Sequence, residues 1–239
     1  MPTNETMRLG MPLLLPAQAQ KHVTVNEALM RLDGQVNLVL QSVSTTTPPE
    51  TVIDGACWAV PSGAQGDWSG RGGQIAIGVN GGWVFQPPAA GMRAFIADRG
   101  VGAIHDGTVW VVGAFSLGIQ GSGLIAGMAE AEVAVAVSAG ASFDTGVLIP
   151  GGAMVLGAVA KVTEALTGDL QTWQLGTSGA ENRFGQGLGK GQGSWARGML
   201  GAPMTYYEPA TLIMTAQGGA FAGGRVRLAA HWWELRLPD

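Results

Sequence analysis

Short runs of alternating apolar and polar residues, separated by glycine-containing turns, occupy most of this chain. In the last run, 225–233, Val226, Leu228, Ala230 and Trp232 fall on one face of a strand, because successive side chains of a strand point to opposite faces. Comparable runs predict strands at 147–149, 154–163, 172–175 and 211–215. The absence of helical periods among them favours a jelly-roll-like β-sandwich over residues 141–239.

A second β-rich region covers residues 51–112. Asp-Gly, Asn-Gly and Gly-Gly pairs alternate there with short apolar phrases that contain tryptophan, as in 54–60 and 81–85. Such turn pairs between short strands are typical of consecutive hairpins. We therefore expect a small antiparallel hairpin module rich in tryptophan and glycine.

The helical period occurs once, near the N-terminus. The apolar residues with this period would form one stripe along a helix, and they are Val25, Ala28, Leu29, Leu32, Val36 and Leu40. Thr24 and Glu27 have the spacing of a capping box, so the pattern predicts a helix over 25–41 that packs on a sheet or against copies of itself. Residues 1–50 are then an extended anchor segment and a helix. Residues 113–140, rich in Gly, Ala and Ser, are expected to be a connector that ends in a strand at 132–137.

Composition adds an expectation about assembly. Charged residues make up 13% of the chain, which is about half of the usual share. A chain with few charges and 39 glycines is expected to bury surface between subunits, so we predict a homo-oligomer. The net charge of −4, with no basic stretch, argues against nucleic-acid binding. No apolar run reaches the length of a membrane span, so no membrane insertion is expected.

No constellation of residues predicts catalysis. His22, His105 and His231 are scattered without the spacing of a metal site, and no G-x-S-x-G sequence occurs. Cys57 stands in an apolar phrase and is expected to be a buried, inert thiol. The glycine run 185–193 fits neither a dinucleotide-binding nor a P-loop pattern, and we expect a mobile or closely packed loop. The sequence thus predicts no enzyme, no catalytic residue, no metal and no cofactor.

Aromatic side chains near turns are the remaining candidates for a site. A tryptophan ring beside Asp or Asn suits the flat apolar face and the hydroxyls of a sugar, whereas the alternative is that these rings fill a core. The candidate carbohydrate-binding residues are Trp68, Trp83, Trp110, Asp67, Asp106, Trp195, Tyr206 and Tyr207.

The N-terminal half also resembles a known family. The stretch L13-L-L-P-A-Q-A-Q-K-H-V-T-V-N-E-A-L29 and the phrases at 54–60, 66–70, 81–85 and 106–110 resemble a domain family of unknown function that is found in phages and gene-transfer agents. The C-terminal pattern, from Ile149-Pro150 to the final 223–231, resembles a partner domain often fused behind it.

The resemblance implies a structural role in a phage-like particle. In gene-transfer agents such a domain is associated with head spikes that engage the capsular polysaccharide of recipient cells. By this resemblance the chain is expected to be a virion structural protein on the surface of a phage-like particle, assembled in the cytoplasm and released by lysis. Its expected partners are other capsid, spike or tail proteins and a cell-surface polysaccharide. A position on capsid vertices would imply a pentamer, and a fibre would imply a trimer. The alternatives are a ligand-free adaptor that joins capsid or tail to a receptor-binding fibre and, more distantly, a polysaccharide-degrading enzyme.

Overall fold

The computed structural model describes residues 4–15, 21–136 and 140–238, and it divides the chain into two compact units. The first is Met1–Gly123 with Leu237–Asp239, and the second is Leu124–Arg236. Part of the predicted extended segment, at 1–3 and 16–20, and the end of the strand predicted at 132–137 lie outside the described residues.

The first unit contains one helix, α1 (Lys21–Gln35), and a seven-stranded sheet. Its strands are β1 (Val39–Leu40), β2 (Cys57–Ala59), β3 (Ile75–Val79), β4 (Gly82–Gln86), β5 (Arg93–Ile96), β6 (Val101–His105) and β7 (Trp110–Val112), followed by β8 (Ala114–Leu117). The order in the sheet is β4-β3-β2-β1-β5-β6-β7. The pairs β2–β3, β3–β4, β5–β6 and β6–β7 are antiparallel, as predicted, but the central β1 is parallel to both β2 and β5.

The helix differs from its prediction at both ends. It begins at Lys21, so Thr24 lies inside the helix, and it ends at Gln35 rather than at residue 41. Asn37 has a left-handed φ of 49°, a conformation that asparagine tolerates and that ends helices. The following residues become β1, in which Leu40 is aligned with Cys57 on one side and with Ile96 on the other. Sheet pairing therefore overrides the helical period.

A buried carboxylate fixes the end of α1. Asp33 accepts a hydrogen bond of 2.7 Å from the Thr6 hydroxyl and another of 3.0 Å from the backbone N–H of Arg8. The Arg8 guanidinium donates to the carbonyl oxygens of Asp33, Gly34 and Asn37 at 2.7, 3.0 and 2.8 Å. These carbonyls have no partner within the helix, so Arg8 satisfies acceptors that a helix end leaves open.

The side of α1 that is buried is not the apolar stripe. Asp33 and Gly34 are buried, whereas Val25, Leu32 and Val36 are exposed. A side chain on Gly34 would contact Ile77 of β3 and Cys57 of β2 at about 3 Å, so the helix approaches the sheet through a glycine. Cys57 is fully buried, as predicted, and burial raises the pKa of its thiol to about 11.

His105 and Trp110 form a second buried contact at the edge of this sheet. Their ring centroids are 5.1 Å apart, with the rings tilted edge to face. The backbone N–H of Gly107 donates to Nδ1 of His105 at 3.2 Å, which requires a neutral imidazole at that nitrogen. Desolvation by burial lowers the pKa of His105 below its ordinary value, and the nearby Asp106 opposes that shift.

The second unit consists of two sheets. Its strands are β9 (Gly123–Ala134), β10 (Ser142–Ile149), β11 (Met154–Gly168), β12 (Thr172–Thr177), β13 (Ala180–Leu188), β14 (Trp195–Thr205), β15 (Ala210–Gln217) and β16 (Phe221–Arg236). One sheet has the order β10-β15-β12-β13, and four strands of the other follow the order β14-β11-β16-β9. Counted from β9 as strand one, these orders are 2-7-4-5 and 6-3-8-1. They describe two interleaved Greek keys, so the predicted jelly-roll sandwich is confirmed.

The jelly-roll core explains the alternation in the sequence. The four residues predicted to share one face, Val226, Leu228, Ala230 and Trp232, are all buried, and they pack with residues of the facing sheet such as Trp173. The indole N–H of Trp173 donates to the carbonyl of Gly189 at 3.0 Å, so this buried polar group is satisfied.

Three expectations for this region need correction. Residues 113–140 are not only a connector, because β8 and the twelve-residue β9 lie there. The strands β13 and β14 were not predicted. The glycine run is partly strand, since 185–188 belong to β13, and the rest is closely packed: Lys190 donates to the carbonyl of Leu170 at 2.8 Å, and its own carbonyl accepts from Leu166.

The close approach at Gly34 generates a stability prediction. We expect Gly34→Ala to lower the free energy of unfolding of the first unit by about 1–3 kcal/mol, because the added methyl group overpacks the contact with Ile77. The measurement is a urea titration in which the sole cysteine, Cys57, is labelled by a thiol reagent as it becomes exposed. Gly102→Ala is the matched control, since its nearest neighbour would be 3.9 Å away. Equal midpoints for the two variants would contradict the packing argument.

The buried imidazole generates a pH prediction. Because folding lowers the pKa of His105, the proton binds the unfolded chain more tightly, and the stability that depends on the neutral ring is complete above about pH 6.5. The urea midpoint of the first unit should therefore be nearly level between pH 7.5 and about 6.5 and should fall as the pH is lowered further. After equilibration at each pH, a short labelling pulse on Cys57 at pH 7.5 reads the unfolded fraction. His105→Gln should flatten this dependence; an unchanged pH slope in the variant would show that other groups cause it.

Candidate functional site

Two of the candidate tryptophans of the first unit, Trp68 and Trp83, form an internal cluster with Trp58. The centroids of Trp58, Trp68 and Trp83 are 5.2 to 6.0 Å apart, and Trp68 is fully buried in a 3₁₀ turn (Gly66–Trp68). A buried ring has no face free for a sugar, so Trp68 is a core residue and not a binding platform. Trp83 is half-buried against it, while Asp67 is exposed in the same turn.

The other candidates of the first unit also have structural contacts. Trp110 is half-buried against His105. One carboxylate oxygen of Asp106 accepts hydrogen bonds of 2.8 Å from the backbone N–H and the hydroxyl of Thr108 and from the backbone N–H of Val109. Three bonds to one turn are the normal function of aspartate in a tight connection. These residues therefore stabilise a hairpin.

The candidates of the second unit differ from one another. Tyr206 is half-buried, its hydroxyl lies 3.2 Å from that of Thr177, and the Arg183 guanidinium lies 5.8 Å from its ring centroid. Tyr207 is 86% exposed after the end of β14. Trp195, at the first position of β14, is 67% exposed and lines a groove. A tryptophan so exposed is unusual, because its large apolar surface is normally buried.

The groove has a volume of about 800 Å³ and lies on β9, β11, β14 and β16. Its lining includes Glu130, Glu132, Val159, Lys161, Trp195, Arg197, Arg227 and Ala229. We call these residues the groove.

Strand register brings the groove residues together. On β11, Lys161 is aligned with Trp195 of β14 on one side and with Arg227 of β16 on the other. Two positions earlier, Val159 is aligned in the same way with Arg197 and Ala229. Residues two apart on a strand share a face, so the two rows lie side by side on the face opposite to the core residues Ala160 and Leu228.

Some charged side chains of the groove form an ion pair with another described residue, and others do not. Arg227 pairs with Glu132 at 3.3 Å, and Glu132 also accepts a hydrogen bond of 2.8 Å from the Thr163 hydroxyl. The Thr163 bond and then Arg227 lower the pKa of Glu132 below its ordinary value, so this carboxylate remains ionised. The Arg197 guanidinium lies 5.9 Å from the centroid of the Trp195 ring, within the range of a cation–π contact.

The sequence identified one member of the groove as a candidate, Trp195, and missed its charged neighbours. Alternation places Arg227 on the face of its strand opposite to Leu228. Nothing local connects it with Lys161 or Arg197, which lie about 30 to 70 residues away in the chain. The alternation in 154–163 was the available signal, because it places Val159 and Lys161 opposite Ala160.

Two kinds of feature are absent from the described residues. They contain no group of three or more His, Cys, Asp or Glu side chains arranged to hold a metal ion. Within the same ranges, no helix combines the length and the apolarity that a membrane crossing requires.

Comparisons with known proteins give a family match and structural similarities. Among solved structures, the chain is similar to a chain of the cyanophage Pam1 capsid asymmetric unit, with a TM-score of 0.35 and 20% sequence identity over 46% of this chain and 84% of that chain. No curated protein matches the sequence. Residues 25–111 match the model of a family described as protein of unknown function (DUF2793), so the resemblance to a domain family of unknown function is confirmed over this part of the first unit.

Proposed function

We propose that the protein is a structural component of a phage-like particle and attaches that particle to cell-surface polysaccharide through the groove of the second unit. The observation that supports this proposal is an exposed tryptophan in a groove on the outer face of a jelly-roll sheet. The assignment to the head spike of a gene-transfer agent, and to capsular polysaccharide, rests on the sequence resemblance.

The chemistry of the groove suits a saccharide. A sugar ring has a flat apolar face with hydroxyls at its rim, so it requires an aromatic platform and nearby hydrogen-bonding groups. Trp195 offers the platform, and Lys161, Arg197 and Glu130 offer polar groups around it. Since these side chains stand on paired strands, their spacing is held by the sheet and not by a flexible loop.

The fold is compatible with both parts of the proposal. Jelly rolls occur in viral capsid proteins and in lectins, so the architecture suits a particle protein and a sugar-binding protein alike. Because one fold supports many functions, the groove and not the jelly roll supports the binding assignment.

The ligand-free adaptor is the second candidate, and the exposed stripe of α1 favours it. Val25, Leu29, Leu32 and Val36 follow one another at intervals of four, three and four residues, which is the spacing of a coiled-coil seam. Val25, Leu32 and Val36 are exposed, and Leu29 is half-buried. We propose that a second copy of this helix covers the stripe, which makes the protein a homo-oligomer and is compatible with either function.

The enzyme alternative is less well supported. A glycosidase needs a carboxylic acid with a raised pKa opposite a second carboxylate. The shift at Glu132 is in the other direction, because Thr163 and Arg227 stabilise its ionised form. The proposal therefore assigns no reaction to the protein.

The attachment proposal predicts a loss of binding when the platform is removed. We expect Trp195→Ala to weaken binding to capsulated cells by about tenfold or more, as for an aromatic hot spot, without a change in the unfolding midpoint. The measurement is flow cytometry of labelled protein on capsulated cells and on matched acapsular cells. Leu148→Ala, which removes an exposed apolar side chain from the other sheet of the same unit, is the control and should bind normally. If the wild-type protein binds neither cell type, the attachment function is wrong.

The oligomer proposal predicts a charge-sensitive assembly. We expect Leu32→Glu, which places a carboxylate in the middle of the stripe, to shift the protein from oligomer to monomer in light scattering coupled to size-exclusion chromatography. Thr24→Glu adds the same charge at an exposed helix position beside the stripe and should leave the oligomer intact. A wild-type protein that is monomeric at micromolar concentration would contradict the proposal, and the adaptor function would then require a different protein on the stripe.

A further inference from the structure

We propose that the groove selects an acidic saccharide, whose carboxylate binds between Lys161 and Arg197 while its ring stacks on Trp195. This inference rests on the proposed attachment function and names the class of sugar that it requires. Three observations support it: the alignment of the residues, the ion pairs already formed around them, and the balance of charge.

The alignment places two cations around one ring. Lys161 is the cross-strand neighbour of Trp195, and Arg197 lies two positions along the same strand, on the same face. The Arg197 guanidinium is 5.9 Å from the ring centroid. A sugar stacked on this ring thus has a cation beside it in the strand direction and another in the cross-strand direction, at the distances over which cross-strand neighbours interact.

The ion pairs leave these two cations available. On the same sheet Arg227 is paired with Glu132 at 3.3 Å, and Arg225 is paired with Glu164 at 3.1 Å. Within the described parts of the chain, no ion pair engages Lys161 or Arg197. A cation without an ion-pair partner at a groove wall attracts an anion, and an arginine binds a carboxylate in a bidentate geometry that is stronger than a neutral hydrogen bond.

The charge of the groove is opposite to that of the chain. Its lining contains three basic residues, Lys161, Arg197 and Arg227, and two acidic ones, Glu130 and Glu132, a balance of +1 in a chain with a net charge of −4. Arg227 also neutralises Glu132, which keeps that carboxylate from repelling an anionic ligand. The basic character is therefore local to the groove, as selection of an anion requires.

The same features favour a sugar acid over a nucleic acid. Single-stranded nucleic acids are bound by several stacking rings along a continuous basic path. The groove offers one exposed ring and two unpaired cations, with Glu130 in the same lining. One ring and two cations match one saccharide unit with one carboxylate.

The test compares a capsular polysaccharide with its carboxyl-reduced form. Polysaccharide is purified from the capsulated cells used above, and half of it is reduced so that each uronic acid becomes the corresponding neutral hexose. Binding of the full-length protein to both samples is measured by biolayer interferometry at low and at physiological salt. We expect carboxyl reduction to weaken binding by about tenfold or more, because one charge-assisted contact is lost per bound unit. Binding of the native sample should also weaken as salt rises.

Variants locate the charge contact. Lys161→Gln and Arg197→Gln should each lower affinity for the native polysaccharide by about tenfold, and should lower affinity for the reduced form much less, because the charge-assisted part of the contact is already lost there. Arg225→Gln removes a cation from the same sheet outside the groove lining and should bind like the wild type. All positions are exposed, and equal unfolding midpoints verify that the variants fold.

The outcomes distinguish the inference from the function on which it rests. Equal binding of native and reduced polysaccharide, lost in Trp195→Ala, overturns the acidic selection and leaves the attachment function in place. If the wild-type protein binds neither the native nor the reduced polysaccharide, both the acidic selection and the attachment function are overturned. If the wild-type protein binds a thymidine 20-mer as tightly as the native polysaccharide, and Lys161→Gln and Arg197→Gln lose that binding, the saccharide assignment is overturned.

Discussion

The pairing of β11 with both β14 and β16 is the constraint on which the second unit depends. Its register fixes two faces at once: Ala160 and Leu228 face the core, and Lys161, Trp195 and Arg227 form a row on the opposite face. A slip by one residue would exchange the faces, so that charges would enter the core and apolar residues would line the groove. The energy that keeps Val162 and Trp173 buried is therefore also the energy that positions the groove.

The sequence predicted best the elements whose apolar pattern decides their structure. The outward and inward faces of β16 followed from alternation, and the sandwich followed from the number of such strands. The strands β13 and β14 were missed because both are edge strands of their sheets, with one unpaired side and glycines that interrupt the pattern. The end of α1 was misplaced because Leu40 satisfies both a helical period and a strand, and only pairing with Cys57 and Ile96 decides between them.

The groove could be predicted only in part. An exposed tryptophan and a buried one look alike in a sequence, so Trp68 and Trp195 were equally plausible candidates before their burial was known. The proximity of Lys161 and Arg227 depends on which strands are neighbours and in what register, which is a property of the whole jelly roll. Local patterns contain no information about it.

The contacts of Asp33 have a consequence for synthesis. Residues 6–8 leave the ribosome about 25 residues before their partner, so they must remain unpaired until the last turn of α1 has formed. Until then the carboxylate can stay hydrated, and burying it without Thr6 and Arg8 would be costly. Residues 6–8 precede the helix in the chain, and they are thus among the parts of the first unit that become ordered only after its last turn has formed.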